Sequence, residues 1–222
     1  MTRGLLLILW GWVVLWSVIS GRVDLLMRSV FHGLVASSGV ALIIAGLWIA
    51  LRAGIRPERS RRERLSRSWL ISALVALVVL LVPPNPSFSD LAATRPQGLP
   101  EPPDLAFVLP PEQRTLTEWV RLLRSQGDPD LAAGNPVNIT GFVWAQPNGP
   151  ALIARLTVRC CLADATPAGL PVAWPDGMTP QTNQWLTITG TMAVEQREGQ
   201  PVAVVVPDQI SPVERPDRPF EP

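Results

Sequence analysis

Both cysteines of the 222-residue chain stand side by side, as Cys160-Cys161 in the stretch "ARLTVRCCLADATPAG". Thiolates are nucleophiles and metal ligands, so the pair admits three roles: structural packing, thiol redox chemistry, or capture of a metal ion. Asp164 stands close enough in sequence to add one oxygen to such a site. A bridge within the dipeptide is strained, because adjacent α-carbons lie about 3.8 Å apart and disulfides span about 4.4–6.8 Å. Zinc usually takes four ligands, with cysteines spaced C-x₂₋₄-C, and this half of the chain has no histidine and no third cysteine. An aspartate ahead of "ATPAG" also commonly hydrogen-bonds its own turn. The three roles stay open at this stage.

Side-chain alternation assigns the pair an orientation. A strand over Ala151–Leu162 places Leu152, Ala154, Leu156, Val158, Cys160 and Leu162 on one apolar face. Arg155, Thr157, Arg159 and Cys161 then lie on the other. Cys160 is expected in the core, and Cys161 beside Arg159, where positive charge favours the thiolate. No phosphate-binding glycine loop and no cluster of paired carboxylates accompanies the pair, and the single histidine, His32, lies far upstream. The chain therefore reads as non-enzymatic and without a cofactor, a metal ion held by Cys160, Cys161 and Asp164 staying among the open roles. Trp144, Trp174 and Trp185 offer either a ligand platform or core packing. Asn138-Ile139-Thr140 matches a glycosylation acceptor but falls within an expected strand.

These residues sit in the second of two differently solvated halves. Residues 1–84 are dominated by Leu, Val, Ile, Ala and Trp, and three apolar runs near 4–20, 31–51 and 66–83 are expected to be transmembrane helices. Pro83 and Pro84 end the third. The first run also resembles a signal peptide, although it is long for one and carries Trp10, Trp12 and Trp16. The loop from Arg52 to Arg67 holds seven arginines against Glu58 and Glu63. Arginine-rich loops stay in the cytoplasm, and three crossings then put everything after Pro83 outside. Gly33, Ser37, Ala41 and Ala45 share one face of the second helix, and small residues at that spacing let helices approach closely in lipid. That face packs either on the chain's own helices or on a separate membrane subunit. His32 falls at the outer edge of the same helix.

The second half starts with a spacer. Nine prolines lie between Val82 and Gln113, which favours extended polyproline geometry over 85–113. "TLTEWVRLLRS" carries a capping-box pattern, Thr115 with Glu118, and reads as one short amphipathic helix. Five short strands follow within 114–212, near Val137–Ala145, Ala151–Leu162, Leu170–Trp174, Trp185–Val194 and Val202–Val206. They suggest a small all-β domain, an oligonucleotide/oligosaccharide-binding-like five-stranded barrel after one short helix. The helix usual between strands three and four has no periodic counterpart in Pro175–Gln184. Residues 213–222 read as a tail.

Gly141-Phe142-Val143, Arg155, Cys160-Cys161 and Ala163-Asp164-Ala165, followed by "WLTITG" from Trp185, resemble the signature of the YcgQ-like bacterial membrane proteins. That resemblance implies an accessory subunit of a two-component permease, multi-pass in the bacterial cytoplasmic (inner) membrane, with its C-terminal domain outside and a polytopic permease as partner. It implies no catalytic residues. The alternative is an extracytoplasmic thiol redox or metal-capture protein acting through the cysteine pair. Nucleic acid is excluded as a partner: from Arg114 onward 8 arginines face 11 acidic residues, a net −3, whereas nucleic-acid binding needs a basic track.

Overall fold

The computed structural model describes residues 2–55, 67–95, 109–146, 149–197 and 199–221. They form two compact units, Met1–Asn85 and Pro86–Pro222.

The first unit holds helices α1 (Thr2–Ile19), α2 (His32–Ile55) and α3 (Arg67–Leu81). Glycines set how closely α1 and α2 pack. A Cβ on Gly46 would stand 2.7 Å from the Gly4 carbonyl oxygen, and one on Gly11 2.7 Å from that of Gly39. Trp10 Nε1 donates to Ser72 Oγ at 3.0 Å, tying α1 to α3. The expectation of three membrane spans is overturned. Among the described residues only Ser29–Arg52 is long and apolar enough to cross a membrane, while Gly4–Ile19 and Trp69–Leu81 are shorter. At roughly 1.5 Å per residue these two reach only about 24 and 20 Å, against a hydrocarbon core of about 30 Å. The outward placement of the β-domain counted three crossings and no longer follows. The arginines between Arg56 and Arg64, on which the orientation rested, lie outside the described residues.

The second unit is built on a sheet. Its strands are β1 (Pro136–Gln146), β2 (Gly149–Thr157), β3 (Thr166–Pro171), β4 (Trp185–Arg197), β5 (Gln200–Pro212) and β6 (Phe220–Glu221). The order is β3-β2-β1-β4-β5, all antiparallel, with β6 joined in parallel to β2. The five-stranded barrel is therefore also overturned: this is a six-stranded sheet that does not close. Among the described residues β3 and β5 meet at the isolated bridge Val172↔Val205, with the Ala173 N–H donating to the Val205 carbonyl at 2.9 Å. Strand β3 is six residues long and contains Pro167 and Pro171, which lack the N–H a closing ladder would need.

The sheet separates two apolar clusters. One gathers Ile139, Ile153, Leu170, Leu186 and Ile188 against helix α5 (Leu116–Gln126), whose Leu116 and Trp119 are fully buried. The expected capping box is present: Thr115 Oγ1 accepts the Glu118 N–H at 3.3 Å, and the Glu118 carboxylate accepts the Thr115 N–H at 2.7 Å. The other cluster holds Phe142, Trp144, Ala154, Leu156 and Trp185 against helix α4 (Phe88–Thr94).

Helix α4 lies within the stretch read as a spacer. Phe88 is buried, 5.5 Å from Trp185 and 5.6 Å from Phe142 between ring centroids. Asn183 Oδ1 accepts the N–H groups of Phe88 at 2.9 Å and Ser89 at 3.3 Å. Two segments that sequence alone leaves loose, 86–94 and the C-terminal tail with β6, thus belong to the folded domain. The apolar "LAFVL", apart from Leu109, lies outside the described residues.

Candidate functional site: the vicinal cysteine turn

Strand β2 ends at Thr157, so the alternation that would have put Cys160 in the core stops before the pair. Cys160 is exposed, Cys161 half-buried, and both thiols are free. Their sulfurs lie 3.5 Å apart. The chain leaves the strand because Asp164 captures it. Its Oδ1 accepts the Arg159 N–H at 3.0 Å and its Oδ2 accepts the Cys160 N–H at 2.9 Å. A one-turn 3₁₀ helix, Leu162–Asp164, returns the chain to β3. The far side of the turn is pinned by Arg95, just after α4. Its guanidinium donates to the carbonyl oxygens of Ala163 at 2.6 Å and Leu162 at 3.2 Å.

This geometry fixes the charge at the site. A hydrogen bond to Asp164, and next one to Cys161, push the Cys160 thiol up to about 11. Partial burial works to raise the Asp164 carboxyl. The Cys160 thiol and the N–H groups of Cys160, Arg159 and Cys161 outweigh that effect and hold it below the usual carboxylate range. At neutral pH Cys160 is therefore a protonated donor beside a carboxylate. A nucleophilic thiol needs the opposite, a positive neighbour that stabilises the thiolate. Among the described residues no group of three or more His, Cys, Asp or Glu side chains could hold a metal ion. Cys160, Cys161 and Asp164 thus fall short of a three-ligand centre, because the Asp164 oxygens are turned to backbone N–H groups.

The remaining motif residues support the turn. Gly141 is required by close approach: a Cβ there would lie 2.6 Å from the Ala154 carbonyl oxygen of β2. Phe142 joins the aromatic group around Phe88 and Trp185. Ala165 is buried beneath the turn, and Ala163 presents its carbonyl to Arg95. Arg155, placed on an open face by alternation, is instead buried. Its Nε donates to Glu221 Oε1 at 3.1 Å, and its guanidinium carbon stands 5.0 Å from the centre of the Trp185 ring. Glu221 Oε2 accepts the Thr117 N–H in the first turn of α5 at 2.8 Å.

Arg95 and Glu221 are the functional supports that sequence reasoning missed. The one available signal was Arg95 as the sole arginine among the prolines between Val82 and Gln113; nothing in the sequence marks Glu221. The three tryptophans make no common platform. Trp144 and Trp185 are buried beside α4, while Trp174 packs on the α5 side and donates its Nε1 to the Ala151 carbonyl at 2.8 Å. Asn138 is an exposed residue of β1.

In the first unit, Gly33, Ser37, Ala41 and Ala45 are all exposed, and a Cβ on Gly33 would meet nothing within 4 Å. The residues that receive α1 are Gly39 and Gly46, on another face of α2. His32 stands 3.6 Å from the Asp24 carboxylate.

No curated protein and no solved structure matches the chain. Residues 117–220, which run from the first turn of α5 through the cysteine turn to β6, match the family model described as the DUF1980 C-terminal domain.

Proposed function

We propose that the chain is an accessory subunit of a membrane permease. In this reading α2 docks on a polytopic partner, and the β-domain gates or presents the substrate. The observation that carries it is the face of α2 holding Gly33, Ser37, Ala41 and Ala45, which α1 leaves uncovered. Small residues favour close helix approach in lipid. The two serines on this helix need no polar partner, since Ser37 Oγ donates to the Leu34 carbonyl and Ser38 Oγ to that of Val35, at 2.8 and 2.7 Å. Leu34, Ile44, Leu47, Trp48 and Leu51 are exposed around them, as suits a surface met by lipid or by another apolar helix. The resemblance to YcgQ-like proteins, which carry the DUF1980 domain, adds the permease.

Substitution separates the two faces of α2. Ala41→Leu or Ser37→Leu is expected to weaken co-purification with the partner at least tenfold while leaving α1 packed on α2. Gly46→Leu is expected to break the helical unit itself, because its first side-chain carbon already overlaps Gly4. Undiminished co-purification of both the Ala41 and Ser37 variants would overturn docking through this face.

A further inference from the structure

We propose that Cys160 and Cys161 form a two-thiolate site for a soft monovalent cation of the Cu(I) class. The assignment is independent of the permease reading and rests on the turn alone. The two sulfurs are free, 3.5 Å apart and reachable from solvent through exposed Cys160. Four hydrogen bonds hold the backbone that presents them, two to Asp164 and two from Arg95. Ordering the loop therefore costs little when an ion arrives, the general advantage of a preorganised site.

The donor set selects the ion. Soft thiolate ligands suit Cu(I), Zn(II) and iron–sulfur centres. Zinc sites take three or four protein ligands, and no such group stands among the described residues. A soft monovalent ion accepts two. Held in line between two sulfurs, it needs them about 4.6 Å apart, taking a metal–thiolate bond of roughly 2.3 Å. The observed separation is 3.5 Å, so binding in line requires the exposed Cys160 side chain to rotate away from Cys161. Binding is a ligand exchange with no change of oxidation state. One M⁺ joins two thiols to give an M(SR)₂⁻ centre, and both protons go to solvent. Asp164 keeps its backbone hydrogen bonds and gives up only the one from the Cys160 thiol. Because two protons leave, affinity falls by up to about 100-fold for each unit of pH lowered.

The test uses the reduced full-length chain in detergent, without oxygen, titrated against Cu(I) held by a chromogenic chelator. The wild type is expected to withdraw one equivalent of Cu(I) more than the variant carrying Cys160→Ser and Cys161→Ser. Each single variant is expected to bind at least tenfold more weakly than the wild type. Near-ultraviolet circular dichroism should be the same for all four, since the pair lies on a turn outside the two clusters. Equal copper uptake by the wild type and the double variant would overturn the site. Displacement of that copper by equimolar Zn(II) would overturn its two-coordinate character.

Discussion

Replacing Glu221, next to the last residue, is predicted to be among the most damaging single changes in the β-domain. Glu221→Ala removes the carboxylate that pairs with Arg155 at 3.1 Å and accepts the Thr117 N–H at 2.8 Å. Arg155 is only 8% exposed, so losing the carboxylate leaves a buried guanidinium without its counter-charge. Breaking a buried ion pair by removing one partner costs about 3–5 kcal/mol. For a domain of this size that lowers the melting temperature by about 10–15 °C. Thermal unfolding of the full chain, followed by near-ultraviolet circular dichroism of the buried tryptophans, reads the change. A compensating pair tests the cause. Arg155→Met with Glu221→Leu removes both charges and keeps the volume, and is expected to recover most of the loss, since apolar replacement of a buried pair is often neutral or better. A melting temperature within about 2 °C of wild type for Glu221→Ala would refute the reasoning. So would a double variant as unstable as the single one.

Phe88→Ala should cost about 3–5 kcal/mol by emptying a fully buried aromatic position, seen as a lower unfolding midpoint in denaturant. A cost under 1 kcal/mol would mean that 86–94 is part of the spacer that the surrounding prolines suggest. Gly141→Ala should destabilise by about 1–3 kcal/mol or more, because its Cβ would lie 2.6 Å from a backbone oxygen that cannot rotate away. The Cys160 thiol, pushed up to about 11, should react slowly with iodoacetamide at pH 8 despite its exposure, its rate climbing toward pH 11. Asp164→Asn removes the largest cause of that rise and should speed alkylation by up to about tenfold, the gain in thiolate being offset by its lower nucleophilicity. An unchanged rate in the variant would show that Asp164 does not control the thiol.

What the sequence disclosed was local. The Thr115–Glu118 cap, the apolar runs and the strand periodicity each lie within one segment, and most appear as elements near their expected place, though the third strand is Thr166–Pro171 rather than Leu170–Trp174. Contacts distant in sequence were hidden. Phe88 and Trp185 meet 5.5 Å apart across nearly a hundred residues of chain, and proline density in between reads as spacer whichever side chains fold back. Glu221 was hidden for the same reason, since a lone carboxylate near a chain end has no period. The cysteine pair failed differently. Alternation was extended five residues too far, to Leu162 instead of Thr157, because the residue that ends the strand, Asp164, acts from beyond the turn through two backbone hydrogen bonds. On α2, a spacing of four did find a face of small residues. Glycines at 39 and 46, a spacing of seven, form the face that packs on α1. Sheet closure was not legible either, because it turns on whether β3 and β5 form a full ladder or a single bridge.

The claim that the chain serves a membrane permease is tested most directly by what accompanies it out of the membrane. The tagged chain, extracted from native membranes in mild detergent, would be purified and its intact assemblies weighed by native mass spectrometry. We predict a defined complex with one polytopic membrane protein in fixed stoichiometry, lost on Ala41→Leu. Recovery of the chain alone, or only as copies of itself, would contradict the account.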